Sequence, residues 1–245
     1  MGRYCLICTP RSGSFYVQNY ISKIFDLEFG SEWFGRVKHV GYKGMETSSV
    51  DIDHSVNEDL LTNEEISKRL VYLKNYETSF IIKCMPFQLS NTIERKDLPD
   101  KEKMEVATKI MKNFDLIYME TKDKVSQFCF DVISKNQDIG KRNFTHYNPD
   151  IRQIPLENSM TATRENYESF CERQDFVTRF QEKNWKGEPI IVWEDFINSP
   201  NIEMTKIKDW YKIDEKNITV NRPIISHAAY KLVFSNYGEI EKWFG

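Results

Sequence analysis

The chain has 245 residues, 40% hydrophobic and 29% charged, with a formal net charge of −3. That length carries a sizeable core, and the mildly acidic balance argues against a general nucleic-acid binder, which presents a basic surface. No apolar run approaches the ~20 residues of a membrane span, and Met1-Gly2-Arg3 leads straight into a strand pattern without a signal-peptide layout, so a cytoplasmic protein with no nucleic-acid and no membrane partner is expected.

Tyr4 to Cys8 is a short apolar run, long enough for a buried strand and too short for a helix. Thr9-Pro10-Arg11-Ser12-Gly13-Ser14 breaks it with turn residues and one cation. From Phe15 the apolar positions Val17, Tyr20, Ile21, Ile24 and Phe25 recur at helical spacing, with Ser14 as the expected N-cap. Such a junction binds anions, because the first helical amides lack internal partners and the helix dipole adds positive potential. Gly13 lets backbone approach a ligand, Ser12 and Ser14 add hydroxyls, and Arg11 offers a planar fork suited to phosphate or sulfate oxygens. A nucleoside-triphosphatase loop is excluded, since no Lys precedes the serine and only one Gly is present.

Asp26 to Arg36, with two glycines among aromatics, reads as a structured loop. Glu32 lies between Ser31 and Trp33, and a carboxylate among aromatics can serve as a base. Val37 to Tyr76 is polar, but Thr62 and Glu65 form a capping box that opens a helix through Leu73. His39 and His54 read as surface residues. Thr78 to Met85 is the second strand, and Lys83 at its carboxyl end faces the crevice where α/β proteins bind ligands. A helix over 97–113 leads to a third strand, Asp115–Met119, and a further helix opens at Glu120-Thr121-Lys122-Asp123. Asn136 to Met160 is loop-like. A long helix over Arg164–Trp185 is stopped by Lys186-Gly187-Glu188-Pro189. A fourth strand follows, Ile190–Trp193, with Glu194 and Asp195 fixing the turn after it. In the last segment Arg222, His227, Tyr230 and Lys231 are possible site residues, with nothing to choose between them.

The five cysteines, Cys5, Cys8, Cys84, Cys129 and Cys171, form no disulfide framework. Cys5 and Cys8 on one strand point to opposite faces, so buried free thiols are expected rather than a shared metal. Strands alternating with helices predict an α/β three-layer sandwich with a central parallel sheet of four or five strands. The simplest organisation is a single domain over residues 1–245, with 37–76 and 136–160 as acceptor-side insertions.

The segment CTPRSGSFYV resembles the 5′-phosphosulfate-binding loop of sulfotransferases, whose usual form is Pro-Arg/Lys-Ser-Gly-Ser/Thr-Thr. The resemblance implies a P-loop NTPase-like sulfotransferase fold and the donor 3′-phosphoadenosine 5′-phosphosulfate. It implies that Pro10, Arg11, Ser12, Gly13, Ser14 and Phe15 hold that donor, although the family usually has a second hydroxyl residue where Phe15 stands. GSEWF resembles the loop that supplies a general base in a bacterial branch of the family, which makes Glu32 the first candidate for the base, with His39 or His54 as the alternative. Lys83 matches a family lysine that touches the transferred group, while the neighbouring family histidine is Met85 here. Lys122-Asp123 resembles the Arg-Asp start of the 3′-phosphate site. The family's serine eight residues on is Phe130, so Ser126, four residues after Lys122, is the substitute if both lie on one helix face. The C-terminal Arg-Lys-Gly triplet of many relatives is missing. The implied activity is sulfuryl transfer to a hydroxyl or amine of a small-molecule or glycan acceptor, without metal. Two alternatives stand beside it: a non-catalytic nucleotide-binding module, and a low-molecular-weight cysteine phosphatase using the C-x5-R-S spacing from Cys5 to Arg11 and Ser12.

Overall fold

The computed structural model describes residues 1–10, 12–34, 61–90, 92, 94–135, 160–216 and 230–245. Five strands, β1 (Arg3–Ile7), β2 (Glu28–Glu32), β3 (Phe80–Cys84), β4 (Asp115–Glu120) and β5 (Ile190–Val192), form one sheet in the order β2-β3-β1-β4-β5. Every pairing is parallel, with Cys5 opposite Ile82 on one side and Leu116 on the other.

Side chains alternate across the strands and make two apolar faces. Cys5, Ile7, Phe80, Ile82, Cys84 and Tyr118 pack on one side. There they meet helices α2 (Asn63–Asn75), α3 (Pro86–Ser90), α4 (Asp100–Met111) and α6 (Arg164–Asn184). Tyr4, Leu6, Cys8, Ile81, Ile117 and Met119 face the other side, against α1 (Ser14–Ile24), α7 (Trp193–Asn198) and α8 (Pro200–Tyr211). A third cluster joins Phe128 and Ile133 of α5 (Lys124–Lys135) to Phe170 and to α9 (Tyr230–Val233) and α10 (Tyr237–Phe244). Burying one such side chain contributes about 1.5–3 kcal/mol. Truncating Ile21, which has no exposed surface, is expected to cost about 2–5 kcal/mol.

The structure has the α/β layering and parallel sheet read from the sequence, with three local corrections. Ser14 is not the N-cap of α1: Gly13 holds that position at φ 77°, and α1 begins at Ser14. The segment read as a loop around Glu32 contains edge strand β2, whose register shifts between Phe29 and Glu32. Gly30 weakens its strand signal, and pairing with β3 supplies what local propensity lacks. Trp193 ends no strand; it opens α7. The Thr62/Glu65 capping box is present, and α2 buries Ile66 and Leu73 in the core. It is therefore the crossover helix between two neighbouring parallel strands rather than an appendage. His39 and His54 and the segment 136–159 lie outside the described residues.

Candidate functional site: the carboxyl ends of β1, β3 and β4

The turn between β1 and α1 is fixed from below and from the side. The Ser12 hydroxyl donates to the Thr9 carbonyl at 2.8 Å. Gln127 Nε2, on α5, donates to Thr9 Oγ1 and to the Pro10 carbonyl, each at 2.6 Å. Gly13 is required twice over. Its φ of 77° strains any residue with a Cβ, and a Cβ there would stand 2.5 Å from the Trp193 ring. Among the described residues no side chain caps α1, and its first turn carries no acidic residue, so none of them neutralises the positive end of its dipole. Arg11 lies outside the described residues.

Beside the turn, Cys8 is buried with its thiol hydrogen-bonded to Ser14. Burial pushes that thiol up to about 11, against the opposing effect of the Lys83 ammonium, so Cys8 is a neutral structural thiol at physiological pH. Lys83 is only 8% exposed although it is charged. Its strand lies between β2 and β1, so it is not an edge lysine reaching for water. Its Nζ stands 3.1 Å from Glu32 Oε2, and the two residues are register partners across β2 and β3. Gln88 Nε2 donates to the other oxygen, Glu32 Oε1. Met85, at the position where the resembled family has its histidine, is buried and contributes its backbone amide to Gln88 Oε1 at 3.3 Å.

On the other flank, Lys122 precedes α5 instead of lying on it. The helix-face argument that paired it with Ser126 therefore fails. Lys122 Nζ lies 3.2 Å from Asp195 Oδ2 and is well exposed. The Ser126 amide and hydroxyl both donate to Asp123, at 2.9 and 2.6 Å, which caps the start of α5. Glu194 accepts the backbone amides of Lys122 and Asp123 at 3.0 and 2.9 Å, so it fixes the turn after β4 rather than the turn after β5 expected from the sequence. The cation that sequence reasoning missed is Lys124. Its Nζ donates to the amide oxygens of Gln174, at 3.1 Å, and Gln127, at 3.5 Å. Burial lowers its pKa, with Glu120 and Glu194 pulling the other way. Two buried groups close to it in the chain or in space, Gln174 Nε2 and Thr121 Oγ1, have no hydrogen-bond partner among the described residues. Nothing in the sequence around Lys124 marks it; its nearer partner, Gln174, comes from α6, 50 residues away.

Lys231 is exposed, 3.7 Å from Glu241; Arg222 and His227 lie outside the described residues. No group of His, Cys, Asp and Glu suited to a metal ion occurs among the described residues. No helix there is long and apolar enough to cross a membrane. The phosphatase alternative is excluded. Cys5 sits in the middle of β1, paired on both sides and with no exposed surface, whereas a thiolate nucleophile needs a curled loop of free amides around it.

A central parallel sheet with helices on both faces, and a helix starting at the carboxyl end of its middle strand, defines an α/β protein. Solved structures narrow the class. The sulfotransferase from Alicyclobacillus acidocaldarius matches 100% of this chain and 91% of its own, at TM-score 0.50 and 8% identity. The sulfotransferase domain from the curacin biosynthetic pathway covers 98% of this chain and 86% of its own, at TM-score 0.47 and 12% identity. Mouse sulfotransferase SULT7A1, solved with PAP, covers 100% and 79%, at TM-score 0.38 and 15% identity. The first of these carries the conclusion: the chain has the sulfotransferase fold, in a divergent form. No protein-family model and no curated protein matches the sequence.

Proposed function

We propose that the protein is a sulfotransferase that moves a sulfuryl group from 3′-phosphoadenosine 5′-phosphosulfate to a hydroxyl or amine of a small-molecule or glycan acceptor. The observation that carries this reading is the Glu32–Lys83 pair, a carboxylate and an ammonium 3.1 Å apart beside the turn that matches the phosphosulfate loop. The turn supports the donor assignment through its helix start, which no described side chain caps, with the backbone amides of Ser12 and Ser14 there, and through the close backbone approach at Gly13. Pro10, Arg11 and Phe15 complete the seat by resemblance.

In the reaction, the acceptor oxygen or nitrogen attacks sulfur in line with the bridging oxygen of the donor. The new bond to sulfur forms as the sulfur–oxygen bond to phosphate breaks, and the electron pair leaves with adenosine 3′,5′-bisphosphate. The acceptor's proton passes to Glu32. By analogy with phosphoryl transfer the transition state is loose, so catalysis is mainly positioning and charge stabilisation. Arg11 and Lys83 stabilise the sulfuryl and leaving oxygens. Lys122 and Ser126 remain the sequence-based candidates for the 3′-phosphate; Lys124 joins them, because a half-buried cation hydrogen-bonded to the neutral amides of Gln127 and Gln174 gains from an anion.

The test is transfer of 35S-sulfate from labelled donor to a panel of acceptors by wild type and Arg11→Ala. Loss of transfer in the variant with an unchanged circular dichroism spectrum is expected; full activity rejects the site. The reading as a binding module without turnover draws on Met85 standing where the resembled family has its histidine. Tight binding of adenosine 3′,5′-bisphosphate with no transfer to any acceptor is the outcome that favours it.

A further inference from the structure

We infer that Gln88 is the positioning residue for the base: it fixes the plane of the Glu32 carboxylate. The inference rests on the proposed role of Glu32. Gln88 lies on α3, close after β3, and both its side chain and its backbone bond to the Met85 backbone. Its Oε1 accepts the Met85 N–H at 3.3 Å, and its own N–H donates to the Met85 carbonyl at 2.8 Å. Because Oε1 takes a donor, Nε2 is the end that faces Glu32, and it donates to Glu32 Oε1.

Glu32 needs such a tie. It ends an edge strand whose register has already shifted at Phe29, so the sheet alone holds its side chain weakly. Lys83 and Gln88 hold the carboxylate in different ways. Lys83 reaches Oε2 on a flexible four-carbon stem and can turn toward an incoming sulfuryl oxygen. Gln88 is clamped to the backbone of Met85 and is neutral, so it orients the carboxylate without adding a charge beside it. When donor draws Lys83 away, Oε1 stays on Gln88. The acceptor's O–H or N–H bond then breaks, and the proton goes to the carboxylate so oriented.

The experiment measures 35S-sulfate transfer from labelled 3′-phosphoadenosine 5′-phosphosulfate to a phenol, a hexose glycoside, an alkyl amine and water. It compares wild type, Gln88→Ala, Glu32→Gln and the double variant. Gln88→Ala is expected to lower kcat about 10- to 100-fold, with the calorimetric Kd for adenosine 3′,5′-bisphosphate and the Tm unchanged. Glu32→Gln is expected to lower kcat by about 10²–10⁴-fold, the usual range for a general base. Adding Gln88→Ala to Glu32→Gln should cost less than about twofold more, because residues that act through one another are not additive. Wild-type kcat in Gln88→Ala, or an equal loss in both backgrounds, overturns the positioning role and leaves the base untouched. Full transfer by Glu32→Gln overturns the base itself, and absence of transfer by wild type to every acceptor overturns the sulfotransferase reading and this inference with it.

Discussion

Two lysines stand at the carboxyl ends of this sheet, and they make the same ion pair in different solvents. Lys83, after β3, meets Glu32 at 3.1 Å with side chains only 10% and 19% exposed. Lys122, after β4, meets Asp195 at 3.2 Å with side chains 65% and 49% exposed. The distances match; the consequences do not. An exposed pair is screened by water and contributes about 0–1 kcal/mol. Breaking a buried one leaves an uncompensated charge, at a cost of up to about 3–5 kcal/mol, less here because Glu32 keeps some solvent. Burial, not proximity, separates the charge pair that can do chemistry from the one that fastens a turn.

The contrast is sharpest in Lys83→Met against Lys122→Met. Lys83→Met should lower kcat for sulfuryl transfer by at least about 100-fold, the scale of losing one preorganised electrostatic donor. Gly13→Ala is expected to follow. A left-handed φ costs an L-residue about 1–2 kcal/mol and overpacking against Trp193 about 1–3 more, so chemical denaturation should show a loss of that order and nucleotide affinity should fall. Lys124→Met separates stability from binding. Removing a cation that burial disfavours should leave the empty protein at least as stable in thermal melts while weakening adenosine 3′,5′-bisphosphate about 10-fold by calorimetry.

The Cys8 thiol gives a pH signature. Its folded value, about 11, lies above its ordinary value of 9.0. The folded state therefore holds the proton more tightly, and that contribution is complete below pH 9 and lost as pH rises through 11. Denaturation midpoints should fall across that window in wild type and fall less in Cys8→Ala. Lys122→Met should be the mildest, within about 0.5 kcal/mol by the usual measure of exposed positions.

What the sequence made legible follows the same division. The β1–turn–α1 unit, the Thr62/Glu65 cap and the inward place of Lys83 rest on local patterns: an apolar run, a capping spacing, a polar residue at a strand end. β2 was hidden because Gly30 and the aromatics around it mimic a loop, and only pairing with β3 makes it a strand. Gln88, Lys124 and Trp193 were hidden for a different reason. Gln88 gains meaning from Glu32, 56 residues earlier, Lys124 from Gln174, and Trp193 from the missing Cβ of Gly13. Tertiary contacts create those roles, and no spacing announces them. The helix-face pairing of Lys122 with Ser126 failed in the opposite sense, since an i, i+4 spacing places residues on one face only where the helix includes both.

The central claim is that the turn after β1 seats a sulfonated nucleotide. A crystal structure with adenosine 3′,5′-bisphosphate tests it most directly. The 5′-phosphate should lie within hydrogen-bond distance of the backbone amides from Ser12 to Phe15, with Lys83 within reach of the position the sulfuryl group would take. Nucleotide bound elsewhere, with this turn empty, would contradict the account.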